Sequence, residues 1–185
     1  MTVIAYKAGV MAADTEGRFE DIPFQMSDEK VGKASFDFDG KTVDVVFGSA
    51  GSSAICRRYR NLMKRFARRI NGHTSNKVWS FEDAVESHLE NVYDELKAGD
   101  KDFESVAVFS LEPAKIWSID EDGVSLSHAK YWSVGSGAHI AMGAMYAGSS
   151  PEGAVSAAIA HSDTCGGCAT VVKFETTNPT EKETL

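Results

Sequence analysis

The sequence predicts an α+β fold in which antiparallel sheets carry helices on their outer faces. The predicted order of elements is two β-hairpins, a pair of helices, three strands, a second pair of helices and a last strand. Strands that follow one another through short turns form antiparallel sheets. Because the helices come in pairs and do not alternate with single strands, helices segregated onto sheet faces are favoured over a doubly wound parallel sheet.

Length, composition and charge limit the kinds of protein that this chain can be. The chain has 185 residues, of which 43% are hydrophobic, so we predict a single domain over residues 1–175 and a disordered polar tail over 176–185. The net charge of −8 argues against binding to nucleic acid or to acidic membranes. No membrane-length apolar run or secretory signal is visible and only three cysteines occur, so we expect a cytoplasmic protein in a reducing compartment.

The N-terminal half carries clear turn and capping signals. It is predicted to contain strands at 2–6 and 9–13, an irregular segment at 15–29, a longer hairpin, and helices at 52–70 and 80–96. The hairpin turns at Asp39-Gly40, a pair typical of type I′ turns. Ser80 is the predicted N-cap of the second helix, with Asp83 three residues further on.

The C-terminal half completes the pattern. It is predicted to contain strands at 105–111, 114–120 and 124–135, helices near 137–147 and 151–161, and a strand from Ala169. Asp122-Gly123 turns the second of these strands into the third. Ser150 suits an N-cap and Pro151 suits the first helical position. No internal repeat or linker interrupts the chain, which is why one domain is predicted.

The opening MTVIAYKAGVMAADT raises a chemical question about its threonine. Methionine is removed before small residues, so Thr2 would become the first residue of a mature chain. Its α-amine would have a reference pKa of about 7.7–8.0 and could accept the proton of its own hydroxyl at physiological pH. One residue would then supply both the nucleophile and the base.

Further motifs follow Thr2 in a characteristic order. They are AAD at 12–14, KVGKA at 30–34, FGSAG at 47–51, VGSGAHIAMGAMYAG from 134, and DTCGG from 163. With these motifs the chain resembles the N-terminal-threonine branch of the Ntn hydrolases, which contains proteasome β subunits and, more similar to this chain, HslV. The resemblance covers roughly residues 2–175. It implies a four-layer αββα sandwich of two antiparallel sheets and a threonine-type peptidase.

The resemblance also implies the nucleophile and its charged neighbours. Thr2 matches the nucleophile and Asp14 matches the family's structural aspartate. The active-site lysine is Lys30 by the fit of KVGKA, and Lys33 competes for the position because it lies closer to the hairpin turn. A buried lysine paired with an aspartate would favour the ionised threonine oxygen and keep the amine neutral.

Three more positions have implied roles. Gly48 matches the glycine whose N–H faces the substrate carbonyl and stabilises the oxyanion. Ser136 matches the serine that supports the N-terminal amine. Asp163 matches the supporting aspartate, and Cys165 stands where HslV has a cysteine.

The CGGC segment has three readings. It leads into a β-branched run, whereas thioredoxin-like CxxC motifs lead into a helix. His161, Cys165 and Cys168 provide too few ligands for a structural zinc site. The matching turn of HslV resembles a cation site, which implies the backbone carbonyls of Ser162, Cys165 and Cys168 as ligands of a monovalent or alkaline cation. No cofactor is implied as required.

The resemblance implies a homo-oligomeric ring or double ring that encloses its active sites, cleaves peptide or protein substrates and is normally fed by a ring ATPase. The arginine-rich face of residues 57–69 could contact nucleic acid, but a solvated or subunit-contacting face is favoured.

Two other functions stay open. If Met1 is retained, the Thr2 amine is blocked and a catalytically inactive scaffold subunit is expected. The third candidate is an Ntn amidohydrolase that acts on a small amide.

Overall fold

The computed structural model describes residues 2–19, 22–25, 30–70, 80–96 and 102–174. The strands are β1 (Ile4–Lys7), β2 (Val10–Asp14), β3 (Glu16–Phe19), β4 (Ile22–Gln25), β5 (Val31–Phe38), β6 (Lys41–Ala50), β7 (Glu104–Phe109), β8 (Ile116–Asp120), β9 (Gly123–Ser127), β10 (Tyr131–Val134) and β11 (Ala169–Lys173). The helices are α1 (Ser53–Ile70), α2 (Phe81–Leu96), α3 (Ala138–Tyr146) and α4 (Pro151–His161). Met1 and the predicted disordered tail at 176–185 lie outside the described residues.

Two antiparallel sheets lie between two pairs of helices. One sheet has the strand order β10-β1-β2-β11 and the other has the order β5-β6-β7-β8-β9. Buried apolar side chains form three layers: between α1–α2 and the five-stranded sheet, between the two sheets, and between the four-stranded sheet and α3–α4. The predicted α+β class and the αββα order of layers are confirmed.

Strand β6 is apolar on both faces because it separates two of these layers. Val45 and Phe47 pack with α1 and α2, whereas Val46 between them packs against the four-stranded sheet. Successive side chains of a strand point to opposite faces, which is why the run reads as continuously hydrophobic. Near its C-terminal end, β6 passes under β1, so that Ile4 lies against Gly48.

Type I′ geometry sets the register of both N-terminal hairpins. Asp39 and Gly40 have φ values of 49° and 71°, so the predicted turn is confirmed. The first hairpin turns at Ala8 and Gly9 with similar φ values of 50° and 83°. The resulting register pairs Ile4 with Ala13 and brings the end of β2 beside the start of β1.

Two sequence predictions about strands are wrong. The segment 15–29, predicted to be irregular, contains the paired strands β3 and β4. The predicted single strand at 124–135 is interrupted at 128–130, and its halves belong to different sheets: β9 pairs with β8, whereas β10 pairs with β1. Alternation in the sequence shows which face a strand buries but not which partner it takes. This crossing places the turn after β10 beside Thr2.

Helix starts follow the capping residues that the sequence predicts. Before α2, Ser80 and Asp83 exchange side-chain-to-amide hydrogen bonds of 3.1 and 3.2 Å. At α4, the Ser150 hydroxyl accepts the amide hydrogen of Gly153 at 3.1 Å. Among the helices described, none is long and apolar enough to cross a membrane.

Candidate active site

Thr2 lies just before β1, in the middle of the four-stranded sheet, and only 5% of its surface is exposed. Its main-chain nitrogen donates to the Ser136 hydroxyl at 3.2 Å. Its carbonyl oxygen accepts the amide hydrogen of Gly137 at 3.2 Å and the Ser136 hydroxyl hydrogen at 3.3 Å. The turn between β10 and α3 therefore holds both main-chain polar atoms of Thr2.

Asp14 ends β2 and is buried beside Val3, the residue after Thr2. Its Oδ1 atom accepts the amide hydrogen of Val3 at 2.9 Å, and its Oδ2 atom accepts that of Gly166 at 3.3 Å. The Lys30 ammonium donates to the same Oδ1 atom at 2.8 Å. One carboxylate thus joins the first strand, the segment after α4 and the start of β5.

The structure distinguishes the two candidate lysines. The side chains of Lys30 and Asp14 are 5% and 0% exposed, and Lys30 also donates to the carbonyl oxygen of Glu16 at 2.5 Å. Lys33 instead pairs with Asp44 at 3.0 Å, on side chains that remain partly exposed. A buried ion pair is stable only when further hydrogen bonds satisfy both partners, as the bonds to Val3 and Gly166 do for Asp14. Lys30 is therefore the lysine that pairs with Asp14, whose carboxylate accepts the amide hydrogen of Val3, the residue after Thr2.

A chain of hydroxyl groups continues from Thr2 through Ser136. The Thr164 hydroxyl donates to Ser136 Oγ at 3.0 Å. Thr164 Oγ1 also lies 2.7 Å from Ser162 Oγ, and because the single Thr164 proton is committed to Ser136, Ser162 is the donor there. The chain of hydroxyl groups therefore runs from Ser162 through Thr164 to Ser136, which bonds to the main-chain nitrogen and oxygen of Thr2.

Asp163 is not part of this chain. It is exposed, and within the described residues its carboxylate accepts no hydrogen bond and forms no ion pair. The neighbouring residue Thr164, and not Asp163, makes the hydrogen bond to Ser136. The sequence analysis missed Thr164 because it sought a carboxylate, although the threonine lies inside the same DTCGG motif.

Two glycines allow the turn after β10 to approach Thr2. Gly135 has a φ of +91°, and a Cβ atom there would overlap the carbonyl oxygen of Thr2 and lie 2.9 Å from its carbonyl carbon. A Cβ atom on Gly137 would lie 2.6 Å from Cys165 Sγ and 2.8 Å from Val3 Cβ. The Gly-Ser-Gly sequence is therefore required by space and, at Gly135, also by backbone conformation.

Gly48, predicted to be the oxyanion donor, is a paired residue inside the five-stranded sheet. It sits within β6, paired with Val31 on one side and Val106 on the other. Since both neighbouring positions are occupied by strands, its amide hydrogen points into the sheet and not toward a substrate. Gly51, the other glycine of FGSAG, follows the end of β6 with a φ of +127° and precedes α1.

The segment between α4 and β11 packs Cys165 against the site. Burial raises the pKa of the Cys165 thiol, and the nearby Asp14 carboxylate raises it further. Cys168 is exposed, and no three of the described histidine, cysteine, aspartate and glutamate side chains are grouped to hold a metal ion. The segment is anchored by the Gly166 carbonyl and the Cys168 amide, atoms other than the three predicted carbonyl ligands. These anchors are compatible with the predicted cation site, which stays a prediction.

Comparison with solved structures identifies the fold. Two structures of the Thiobacillus denitrificans protein BPH, one in complex with epoxomicin, match with TM-scores of 0.57 and 0.58 at 20% and 19% identity. Each match covers 94% of this chain and 97% of BPH. HslV from Trypanosoma brucei matches with a TM-score of 0.61 at 18% identity, over 93% of this chain and 98% of HslV. This chain has the fold of HslV.

No family model and no curated protein matches the sequence. The HslV fold was therefore predicted from a few short motifs and their order, at an overall identity of 18% to the HslV structure. At this identity the likeness establishes the fold, and the chemistry has to be argued from the side chains around Thr2.

Proposed function

We propose that this chain is an N-terminal threonine peptidase, which hydrolyses peptide bonds after removal of Met1. The observation that carries the proposal is the buried ion pair of Lys30 and Asp14, whose carboxylate also accepts the amide hydrogen of Val3. Burying two charges is costly, so a buried pair that contacts the residue after Thr2 suggests a chemical use for the cation. In this proposal Lys30 stabilises the developing negative charge on Thr2 Oγ.

Each proton transfer can be assigned to the residues present. The Thr2 hydroxyl gives its proton to the Thr2 amine as Oγ attacks the substrate carbonyl carbon. The amine passes this proton to the leaving amine of the product, which leaves an ester on Thr2. A water molecule, deprotonated by the same amine, then attacks the ester, and the Thr2 hydroxyl is restored. Ser136 orients the amine throughout.

The oxyanion hydrogen bond comes from Gly51 in this proposal, and not from Gly48. Gly51 is the first residue after β6, and Ala50 before it lies 3.3 Å from the position that a Cβ atom on Gly135 would take. The amide of Gly51 is therefore close to the turn that holds Thr2. A glycine is suited to this position because the substrate backbone must approach the amide closely.

The proposed assembly follows the HslV fold. We propose a ring or double ring of identical subunits, with peptide or protein substrates entering an inner chamber and a ring ATPase supplying them. A monovalent or alkaline cation held by the carbonyl groups of Ser162, Cys165 and Cys168 would brace the segment that carries Thr164. Native mass spectrometry would count the subunits.

Epoxomicin, which BPH binds, is a suitable probe of the proposed nucleophile. We expect the intact mass of the purified chain to lack one methionine, and we expect epoxomicin to add one molecule per chain. Thr2→Ala is the matched control, because alanine is also small enough for Met1 removal. This variant should form no adduct and should not hydrolyse a fluorogenic peptide. Retention of Met1, or hydrolysis that persists in Thr2→Ala, would refute the peptidase.

The hydroxyl chain gives a prediction that separates Thr164 from Asp163. Thr164→Val keeps the shape of the side chain but removes the hydrogen bond to Ser136, so we expect kcat to fall by about 10-fold. Thr164→Ser should recover most of this loss. Asp163→Asn should keep kcat within about twofold, because the Asp163 carboxylate is exposed. Peptide hydrolysis under saturating substrate measures all three, and an equal loss in Asp163→Asn would contradict the assignment.

A further inference from the structure

We infer that Glu104 is a positioning residue for the proposed peptidase, because it braces the Gly135–Gly137 turn from the opposite sheet. Glu104 begins β7 in the five-stranded sheet and is exposed. Its Oε2 atom accepts the amide hydrogen of Gly135 at 2.6 Å. Gly135 directly follows β10, which belongs to the four-stranded sheet. The hydrogen bond therefore connects the two sheets at the end where Thr2 lies.

The hydrogen bond from Gly135 to Glu104 holds the residue of the turn that lies against Thr2 and has the least room to move. Gly135 is so close to Thr2 that a Cβ atom would overlap the Thr2 carbonyl oxygen. Its own carbonyl oxygen accepts the amide hydrogen of Ala138 at 2.9 Å, and this bond closes the turn. Ser136 and Gly137 within the turn make the hydrogen bonds to Thr2. A shift of the Gly135 amide is thereby transmitted to both main-chain polar atoms of Thr2.

The backbone of Glu104 is paired next to the proposed oxyanion donor. Glu104 is the cross-strand partner of Ala50, the residue before Gly51. Glu104 thus contacts one side of the reaction centre through its backbone pairing and the other side through its carboxylate. Catalysis by a hydroxyl and an oxyanion donor depends on the distance between them, and misplacement by about 1 Å can cost about 100-fold in rate. Glu104 sets this distance by joining the two sheets.

The carboxylate is suited to the task for a chemical reason. A hydrogen bond from a backbone amide to an ionised acceptor is shorter and stronger than one to a neutral acceptor. A glutamine side chain has an amide oxygen in the equivalent place and can accept the same hydrogen bond, whereas alanine cannot. Comparing Glu104→Ala with Glu104→Gln therefore shows whether an effect comes from loss of the hydrogen bond or from loss of the negative charge.

The test rests on the proposed function and uses two readouts. We expect Glu104→Ala to lower kcat for a fluorogenic peptide by about 10-fold with KM within about twofold, because misplacement acts on the transition state more than on binding. Glu104→Gln should recover most of the lost kcat. Glu90→Ala, which removes an exposed carboxylate on α2, is the control for loss of a surface charge. Hydrogen exchange should become faster at the amides of residues 135–138 in Glu104→Ala alone.

The outcomes distinguish this inference from the peptidase itself. If the unmodified chain shows no Thr2-dependent hydrolysis, the proposed function fails, and the exchange of residues 135–138 still decides whether Glu104 positions the turn. An unchanged exchange rate in Glu104→Ala overturns the inference. So does a loss of kcat in Glu104→Gln equal to that in Glu104→Ala, since the hydrogen bond would then not be the cause.

Discussion

Lys30→Ala is expected to lower kcat by about 1,000-fold, because it removes the only cation that lies with Asp14 among the described residues. The loss should appear in kcat and kcat/KM alike, since the ammonium is proposed to act on charge that develops during attack. The same substitution leaves the Asp14 carboxylate buried without its partner, which costs about 3–5 kcal/mol of folding stability. Urea denaturation and peptide hydrolysis measure the two effects separately.

Lys33→Ala is the matched control for Lys30→Ala. Both lysines lie in KVGKA and both form an ion pair, but the pair of Lys33 with Asp44 is partly exposed. We expect Lys33→Ala to lower the stability by less than about 1 kcal/mol and to leave turnover unchanged. Lys30→Arg separates charge from shape: it should recover much of the stability but little of kcat, because a larger planar guanidinium cannot place its charge where the ammonium lies between Asp14 and the Glu16 carbonyl. Full activity in Lys30→Ala would remove the main support for the peptidase.

The fold could be predicted because local signals agreed with the global arrangement. The Asp39-Gly40 turn, the Ser80 and Ser150 caps and the paired helices each fix a local geometry that does not depend on distant contacts. The exchange of sheets between β9 and β10 could not be predicted. Partner choice depends on contacts far away in the chain, here with β8 for one strand and β1 for the other.

The positions of site residues could be predicted where a motif contains only one residue of the type that the role requires. Thr2, Asp14 and Ser136 meet in the structure, and the choice between Lys30 and Lys33 needed only the direction of each side chain. The roles of Gly48 and Asp163 stay predictions, although Gly48 is paired within β6 and Asp163 is exposed, and each motif offers a second candidate, Gly51 or Thr164. We propose the oxyanion role for Gly51 because β6 ends at Ala50, and a strand boundary of this kind is the least certain part of a prediction from sequence.

Gly135→Ala is expected to lower kcat by about 100-fold and stability by more than about 2 kcal/mol. The added methyl group would overlap the Thr2 carbonyl oxygen, and alanine would have to adopt the φ of +91° that glycine takes here. Relief of the overlap has to move Thr2 or the turn, and either movement separates Thr2 from Ser136. Denaturation in urea gives the stability, and turnover of the folded fraction gives kcat.

Gly143→Ala in α3 is the control for Gly135→Ala, because it replaces a glycine that does not contact Thr2. Gly143 lies inside the helix, and a Cβ atom there would meet nothing within 4 Å. Alanine is a better helix former than glycine, so this substitution should raise the stability by about 0.5–1 kcal/mol and leave kcat unchanged. Opposite signs for the two stability changes are expected because one glycine is required by contact with Thr2 and the other is not. If Gly135→Ala keeps full turnover, the close contact of this turn with Thr2 has no part in the reaction.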